Sequence, residues 1–203
     1  MLLEPCLGQA LYIRVVVSGI WSSCIEPGKN AAGPWDGCIC ARWIWAFRQP
    51  KSECGCCEMM ACRVCGARQN FYVFSLYRNT DLDDLIYDFL LTAMADVQVA
   101  DACASFLFVG DLNGHHQEWL GSTTTNRHGV AALDFAAVSG CDQLVIGPTH
   151  ALGGTLDLLM TDVPDLVRVS VVAPLGSSDH SSLSTAISMA QAVPTCVLAG
   201  GCF

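Results

Sequence analysis

No apolar stretch in this chain comes near the ~20 residues needed to cross a bilayer. The strongest, Val15 to Val17 with Ile20 and Trp21, is approached through Arg14, so no membrane-spanning helix is expected. The opening MLLEPCLGQALYIR also lacks the basic head and unbroken apolar core of a secretory signal, because Glu4, Pro5 and Arg14 interrupt it. The expectation is a soluble protein of the nucleus or cytoplasm, neither secreted nor membrane-bound. Basic residues are the second shortage: residues 1–70 hold seven Lys and Arg against five Asp and Glu, and residues 71–203 hold three against fourteen. So acidic a second part opposes charge-driven gripping of a polyanion and suits a site that collects divalent cations. Taken singly, most of these carboxylates are simply solvated surface.

Apolar residues and cysteine are abundant instead. At 203 residues, 52% hydrophobic, the chain can bury a substantial core in one domain, or in one domain with an appendage. Nine of its thirteen cysteines fall between Cys6 and Cys65. Ordinary reduced thiols are the simplest reading. A zinc site is the sharper one, since Cys62 and Cys65 have CxxC spacing just after CGCC at 54–57, yet strand alternation would put those two on opposite faces. A disulfide framework needs an oxidising compartment, and the odd total would leave one thiol unpaired.

Residues 1–45 read as an irregular segment rich in Cys, Trp and Gly, and residues 193–203 as a tail. Between them, residues 46–192 read as one folded unit. CCEMMACRVCG and NFYVFSLYR are strand-like runs joined by the turn-prone GARQN, expected to pair. A helix follows, capped by Thr80 or Asp81, with Asp83 and Asp84 in its first turn and an apolar face of Leu85, Ile86, Phe89, Leu90, Ala93, Met94 and Val97. Then come a strand at 106–109, a helix near 130–138 stopped by Gly140, and three short strands, QLVIG, GTLDLLMT and VRVSVVAP. Strands interleaved with helices indicate an α/β protein with a mixed sheet or stacked sheets.

FLFVGDLNGHH, residues 106–116, is a buried-strand pattern that ends in Asp111, Asn113, His115 and His116. Two further polar islands lie at strand ends, Tyr77 and Arg78 in SLYRN and Asp179 and His180 in GSSDHSS. Asp157 lies inside TLDLL, where an ionised carboxylate needs a partner, and His180 is the candidate. Phosphodiester hydrolysis needs charge neutralisation at phosphate, a group that activates water, and donors that hold the phosphate in line. The islands contain those types: Asp179 to ligate a hard cation, Asp111 to take the water's proton, Asn113 to donate to phosphate, His180 to stabilise an oxyanion. His115, His116, His128 and His150 are read as structural, since adjacent histidines point different ways and no third ligand has a defined spacing. Trp119 is read as either packing or base-stacking.

YRN, GDLNGHHQEW, TNRHG, GPTH, GGTLDLL and SDHSSL, in that order, resemble the endonuclease/exonuclease/phosphatase (DNase I-like) family, and most closely the endonuclease domain attached to reverse transcriptases of non-LTR retrotransposons. The resemblance implies two packed mixed β-sheets with outer helices, a Mg2+ (or Mn2+) cofactor, and DNA nicking beside a separate reverse transcriptase. It implies that Tyr77 and Arg78 line the scissile phosphate, with His115 on the substrate side. Asp111 would activate water, Asn113 would bind phosphate, Asp157 would orient His180, and Asp179 with Asp111 would hold the metal. The family's early Asn strand and its Gln-Glu metal ligand have no match in residues 1–70, where Glu26 and Glu58 are the nearest carboxylates. An incomplete first sheet is therefore expected. A truncated, inactive remnant that serves at most as an interaction module is the alternative.

Overall fold

In a computed structural model of the chain, the residues described are 13–17, 24–27, 41–47, 57–65, 69–78 and 85–188. Ten strands and two helices are formed among them. Six strands make one sheet in the order β3 (Ala41–Phe47), β4 (Cys57–Cys65), β5 (Asn70–Arg78), β6 (Ala104–Asp111), β8 (Asp157–Thr161), β7 (Asp142–Gln143). Four make a second sheet, in the order β2 (Cys24–Pro27), β1 (Ile13–Val17), β10 (Ser182–Ile187), β9 (Val167–Val172). Helices α1 (Leu85–Ala100) and α2 (Arg127–Ser139) complete the set.

The layers follow from the alternation of strand side chains. Met59, Ala61, Tyr72, Phe74, Leu76, Phe106, Phe108, Leu158 and Met160 project from one face of the large sheet into a core shared with Leu90, Met94 and Phe135 of the helices. Their neighbours Cys62, Val64, Phe71, Val73, Leu107, Val109 and Leu159 project the other way, onto Val167, Leu183 and Ile187 of the small sheet. The result is helices, a mixed sheet and a second sheet in three layers, with β5, β6 and β8 at the centre buried on both faces. Phe106, Phe108, Val109, Leu156 and Leu158 are core residues.

β4 and β5 pair antiparallel, as the sequence suggests, and β6 joins β5 in parallel through the α1 crossover. That parallel ladder is tight at one point. A Cβ on Gly110, whose φ is 151°, would lie 1.8 Å from the Leu76 carbonyl oxygen, so only glycine fits opposite Leu76. α2 starts three residues before the expected 130–138: Asn126 caps it, with its side chain accepting from the Gly129 N–H, while Gly140 ends it as expected, in the left-handed conformation at φ 67°.

Three expectations change. The apolar face of α1 is rotated: Leu85 and Phe89 are 55% and 37% exposed, while Tyr87 is buried with its ring 5.4 Å from that of Phe135. The neighbouring helix α2, rather than the sheet alone, sets which side of α1 is covered. QLVIG contributes only Gln143 to a strand, the two-residue β7, because the chain leaves the edge of the sheet after it. Residues 1–45, read as irregular, hold β1, β2 and most of β3; β2 and β3 pair with their sequence neighbours β1 and β4, but β1 also pairs with β10, far along the chain. The expected caps Thr80 and Asp81, with Asp83 and Asp84, lie outside the described residues.

Candidate active site

Register builds the site. Tyr77 of β5 is opposite Asp111 of β6, and Asp111 is opposite Asp157 of β8, so three adjacent strands carry one row of polar residues. They share the parity of Val73, Val109 and Leu159, the face toward the small sheet. Glu58 of β4 occupies the next register position, opposite Tyr77. Glu26 is in β2, opposite Arg14. The side chains of both glutamates lie outside the described residues.

Asp111 and Asp157 are nearly closed off from solvent, at 7% and 1% exposure. Burial, then the neighbouring charge of Asp157, pushes the Asp111 carboxyl up to about 6, against the pull of the Asn113 N–H, which donates to Asp111 Oδ1 over 3.0 Å. Asp157 meets its expected partner: Oδ2 lies 2.8 Å from His180 Nδ1. Burial alone would lower the pKa of His180, but the Asp157 bond and the charges of Asp157, Asp111 and Asp179 together hold it above the ordinary histidine value. With Nδ1–H donating to Asp157, the tautomer of His180 leaves Nε2 free to act as base or ligand.

Asn113 sits on the turn after β6 in the left-handed conformation, φ 48°, and donates one amide hydrogen to the Arg78 carbonyl over 2.7 Å. Arg78 is fully buried. Its guanidinium bonds the His128 ring and the Leu112 carbonyl beneath the loop that carries Asn113. His115 is anchored by its backbone: its N–H donates to the Asn126 side chain and its carbonyl accepts from the Asn126 N–H. Among the described residues no hydrogen bond ties its ring to Asp111, Asn113 or His180. Gly129 makes the clamp possible, since a Cβ there would lie 2.0 Å from the His115 carbonyl oxygen. Tyr77 is 38% exposed at the end of its strand, and Trp119 packs against the helix-side core.

Asp179 is 70% exposed, and the His150 Nε2 lies 3.3 Å from its Oδ2. Among the described residues, the group able to hold a metal ion is His150, Asp179 and His180, each offering an atom within 4.8 Å of the others. Asp111 is not part of it, so the expected Asp179–Asp111 pair of metal ligands is not formed as one cluster. No described cysteine joins a metal-binding group, and Cys62 and Cys65 are free thiols. Burial pushes the Cys62 thiol up to about 11, away from the thiolate that zinc requires.

Two residues go beyond the sequence reading. Thr149, fully buried, accepts both the Leu156 and Asp157 N–H on its hydroxyl, each at 3.0 Å, and its carbonyl accepts the Ser181 N–H at 2.7 Å. It thereby ties the Asp157 strand to the His180 segment. His150 pairs with His180 across an isolated antiparallel bridge, their rings edge to face at 4.8 Å. The signal was present in GPTH, where a polar Thr-His pair precedes a buried strand, but only the bridge gives it meaning.

No family model and no curated protein matches this sequence. Thirteen solved chains match in structure. One is the "Endonuclease domain of TRAS1, a telomere-specific non-LTR retrotransposon", at TM-score 0.53 and 21% identity, over 64% of this chain and 62% of that one. The fold is DNase I-like. A truncated TDP2 from Caenorhabditis elegans matches at TM-score 0.46 and 11% identity, over 73% of this chain and 64% of that one. The DNase I-like architecture here is partial, since the chain spans under two thirds of the TRAS1 domain. Its smaller sheet has four strands. Among the described residues no helix is long and apolar enough to cross a membrane.

Proposed function

We propose that this chain is a metal-dependent nuclease of retrotransposon origin that nicks DNA by hydrolysing phosphodiester bonds. The observation that supports it most is the row Tyr77–Asp111–Asp157, with the Asp157–His180 hydrogen bond closing its end. A carboxyl held near 6 is ionised and still basic at neutral pH, which suits Asp111 to draw a proton from attacking water. His180, fixed through Nδ1, is poised to stabilise the charge that develops on phosphate oxygens. Asn113 and Tyr77, at the same strand ends, are the groups to hold the phosphate in line. Arg78 acts from behind, by setting the loop that carries Asn113, and His115 is the residue proposed for the outer substrate contact.

The donor set fits Mg2+ or Mn2+ in one respect: exposed Asp179 offers an oxygen, and such ions accept one or two carboxylates with water and substrate phosphate completing the shell. Bound there, the ion would supply charge neutralisation at the phosphate. With one carboxylate its affinity is low. The reading includes DNA as substrate, a separate reverse transcriptase as functional partner, and a nuclear or cytoplasmic location. The burial of Arg78 favours the second reading, a remnant that keeps the fold as an interaction module without catalysis.

Nicking of supercoiled plasmid by the purified chain decides between them. Conversion to open circle that needs millimolar magnesium, stops with EDTA and is lost in Asp111→Ala supports the nuclease; Glu58→Gln then tests whether that row position supplies a further carboxylate. A folded protein that never nicks establishes the second reading.

A further inference from the structure

The His150–Asp179–His180 cluster differs from a magnesium site in its chemistry, because two of its three donors are imidazoles. Hard cations select oxygen, whereas two imidazoles and a carboxylate suit zinc and its neighbours. We infer that His150, Asp179 and His180 form a binding site for a borderline divalent cation of the zinc class, and that its occupation withdraws His180 from catalysis.

Geometry carries this in three parts. Ligand atoms ~2.0–2.1 Å from a tetrahedral zinc ion lie ~3.3–3.4 Å from one another. The His150 Nε2 to Asp179 Oδ2 separation is already 3.3 Å, and the third ligand is within 4.8 Å, so closure needs a shift on the order of 1 Å. The backbone holds the two segments together beforehand: the Ala151 N–H donates to the Asp179 carbonyl at 2.8 Å and the Ser181 N–H to the Thr149 carbonyl at 2.7 Å, either side of the His150–His180 bridge. Finally, buried Asp157 on His180 Nδ1 forms the outer half of a carboxylate–histidine–metal triad, which orients Nε2 as the ligand. His150 needs one adjustment. Its Nδ1 accepts from the Leu152 N–H at 3.1 Å, which puts the ring proton on Nε2. On metal binding that proton moves to Nδ1 and displaces the Leu152 bond, a cheap exchange because Leu152 is 92% exposed.

The site itself does not depend on nuclease activity; the inhibitory consequence rests on the nuclease reading. Ring-carbon NMR of labelled histidines in the full chain, at free zinc set by a metal buffer, separates the two. Zinc taken up by cysteines does not move these rings. The expected result is that two of the five histidines shift together at one zinc midpoint, that magnesium at a thousandfold higher concentration leaves them in place, and that His150→Gln raises the midpoint for His180 at least ~10-fold. Unmoved rings at saturating zinc, or an unchanged midpoint in His150→Gln whose remaining histidine signals show it folded, would overturn the site. In the nicking assay, zinc should inhibit at the NMR midpoint, and His150→Gln should resist ~10-fold more. A protein that never nicks but gives the NMR result retains the site and loses only its regulatory meaning.

Discussion

His180 Nδ1 stands 2.8 Å from Asp157 Oδ2, and Asp157 is 1% exposed. This hydrogen bond is made out of water, so it fixes both the ring orientation and the tautomer of His180. Asp157→Asn keeps the shape and removes the charge. The expected outcome is a fall in the His180 pKa, seen in the pH titration of its ring signal, with nicking reduced on the order of 100-fold or more. An unaltered His180 titration would mean that the pair is not formed.

The raised carboxyl of Asp111 predicts two opposite effects of one substitution. Its folded value, about 6, exceeds the ordinary 3.8, so the folded state holds this proton more tightly than the unfolded state does. Stability is therefore lost as pH rises from about 4 to about 6, and the loss persists above that range. Asp111→Asn removes it: the variant should be more stable at pH 7.5 by roughly 1–3 kcal/mol, a few degrees in Tm, with no advantage below pH 4. The same variant should not nick, and nicking by the native chain should fall off as pH drops through 6. Thermal melts at both pH values, beside the nicking assay, check all three.

Gly110 has no room for a side chain against Leu76. Gly110→Ala must separate β5 from β6 or bend one of them, at a cost on the order of 3 kcal/mol or more, and it also shifts Asp111 from its place beside Asp157. Urea unfolding should show the loss. An alanine variant of native stability would contradict the parallel register drawn between these strands.

Arg78 divides a structural role from a substrate-binding one. Buried beneath the Asn113 loop with His128 and the Leu112 carbonyl as partners, it should cost roughly 2–4 kcal/mol when replaced by Met, with substrate affinity a secondary effect. Native stability combined with weakened DNA binding would return Arg78 to the phosphate.

Much of this arrangement was legible in the sequence where local rules governed it. The turn-prone GARQN between two strand-like runs marked β4 and β5 as neighbours, Gly140 marked the end of α2, and the cost of burying Asp157 inside TLDLL pointed to His180 as its partner. What stayed hidden is what distant packing decides. The exposure of Leu85 and burial of Tyr87 depend on where α2 lies against α1. β1 and β2 are five- and four-residue strands that acquire meaning through β10, and His150 through the bridge to His180. The substrate-facing role given to Arg78 came from likeness of motif, which carries no information on solvent access.

The pairing of β1 with β10 sets an order on the birth of the protein. Val15 lies opposite Thr185, 170 residues later in the chain, so the small sheet closes the longest loop in the fold. During synthesis, β4, β5 and β6, with Tyr77 and Asp111, leave the ribosome well before β10 exists to meet β1. His180, two residues ahead of β10, is among the last of the polar groups to arrive. His180 therefore reaches Asp157 only after the strands that carry Tyr77 and Asp111 have already been made and paired.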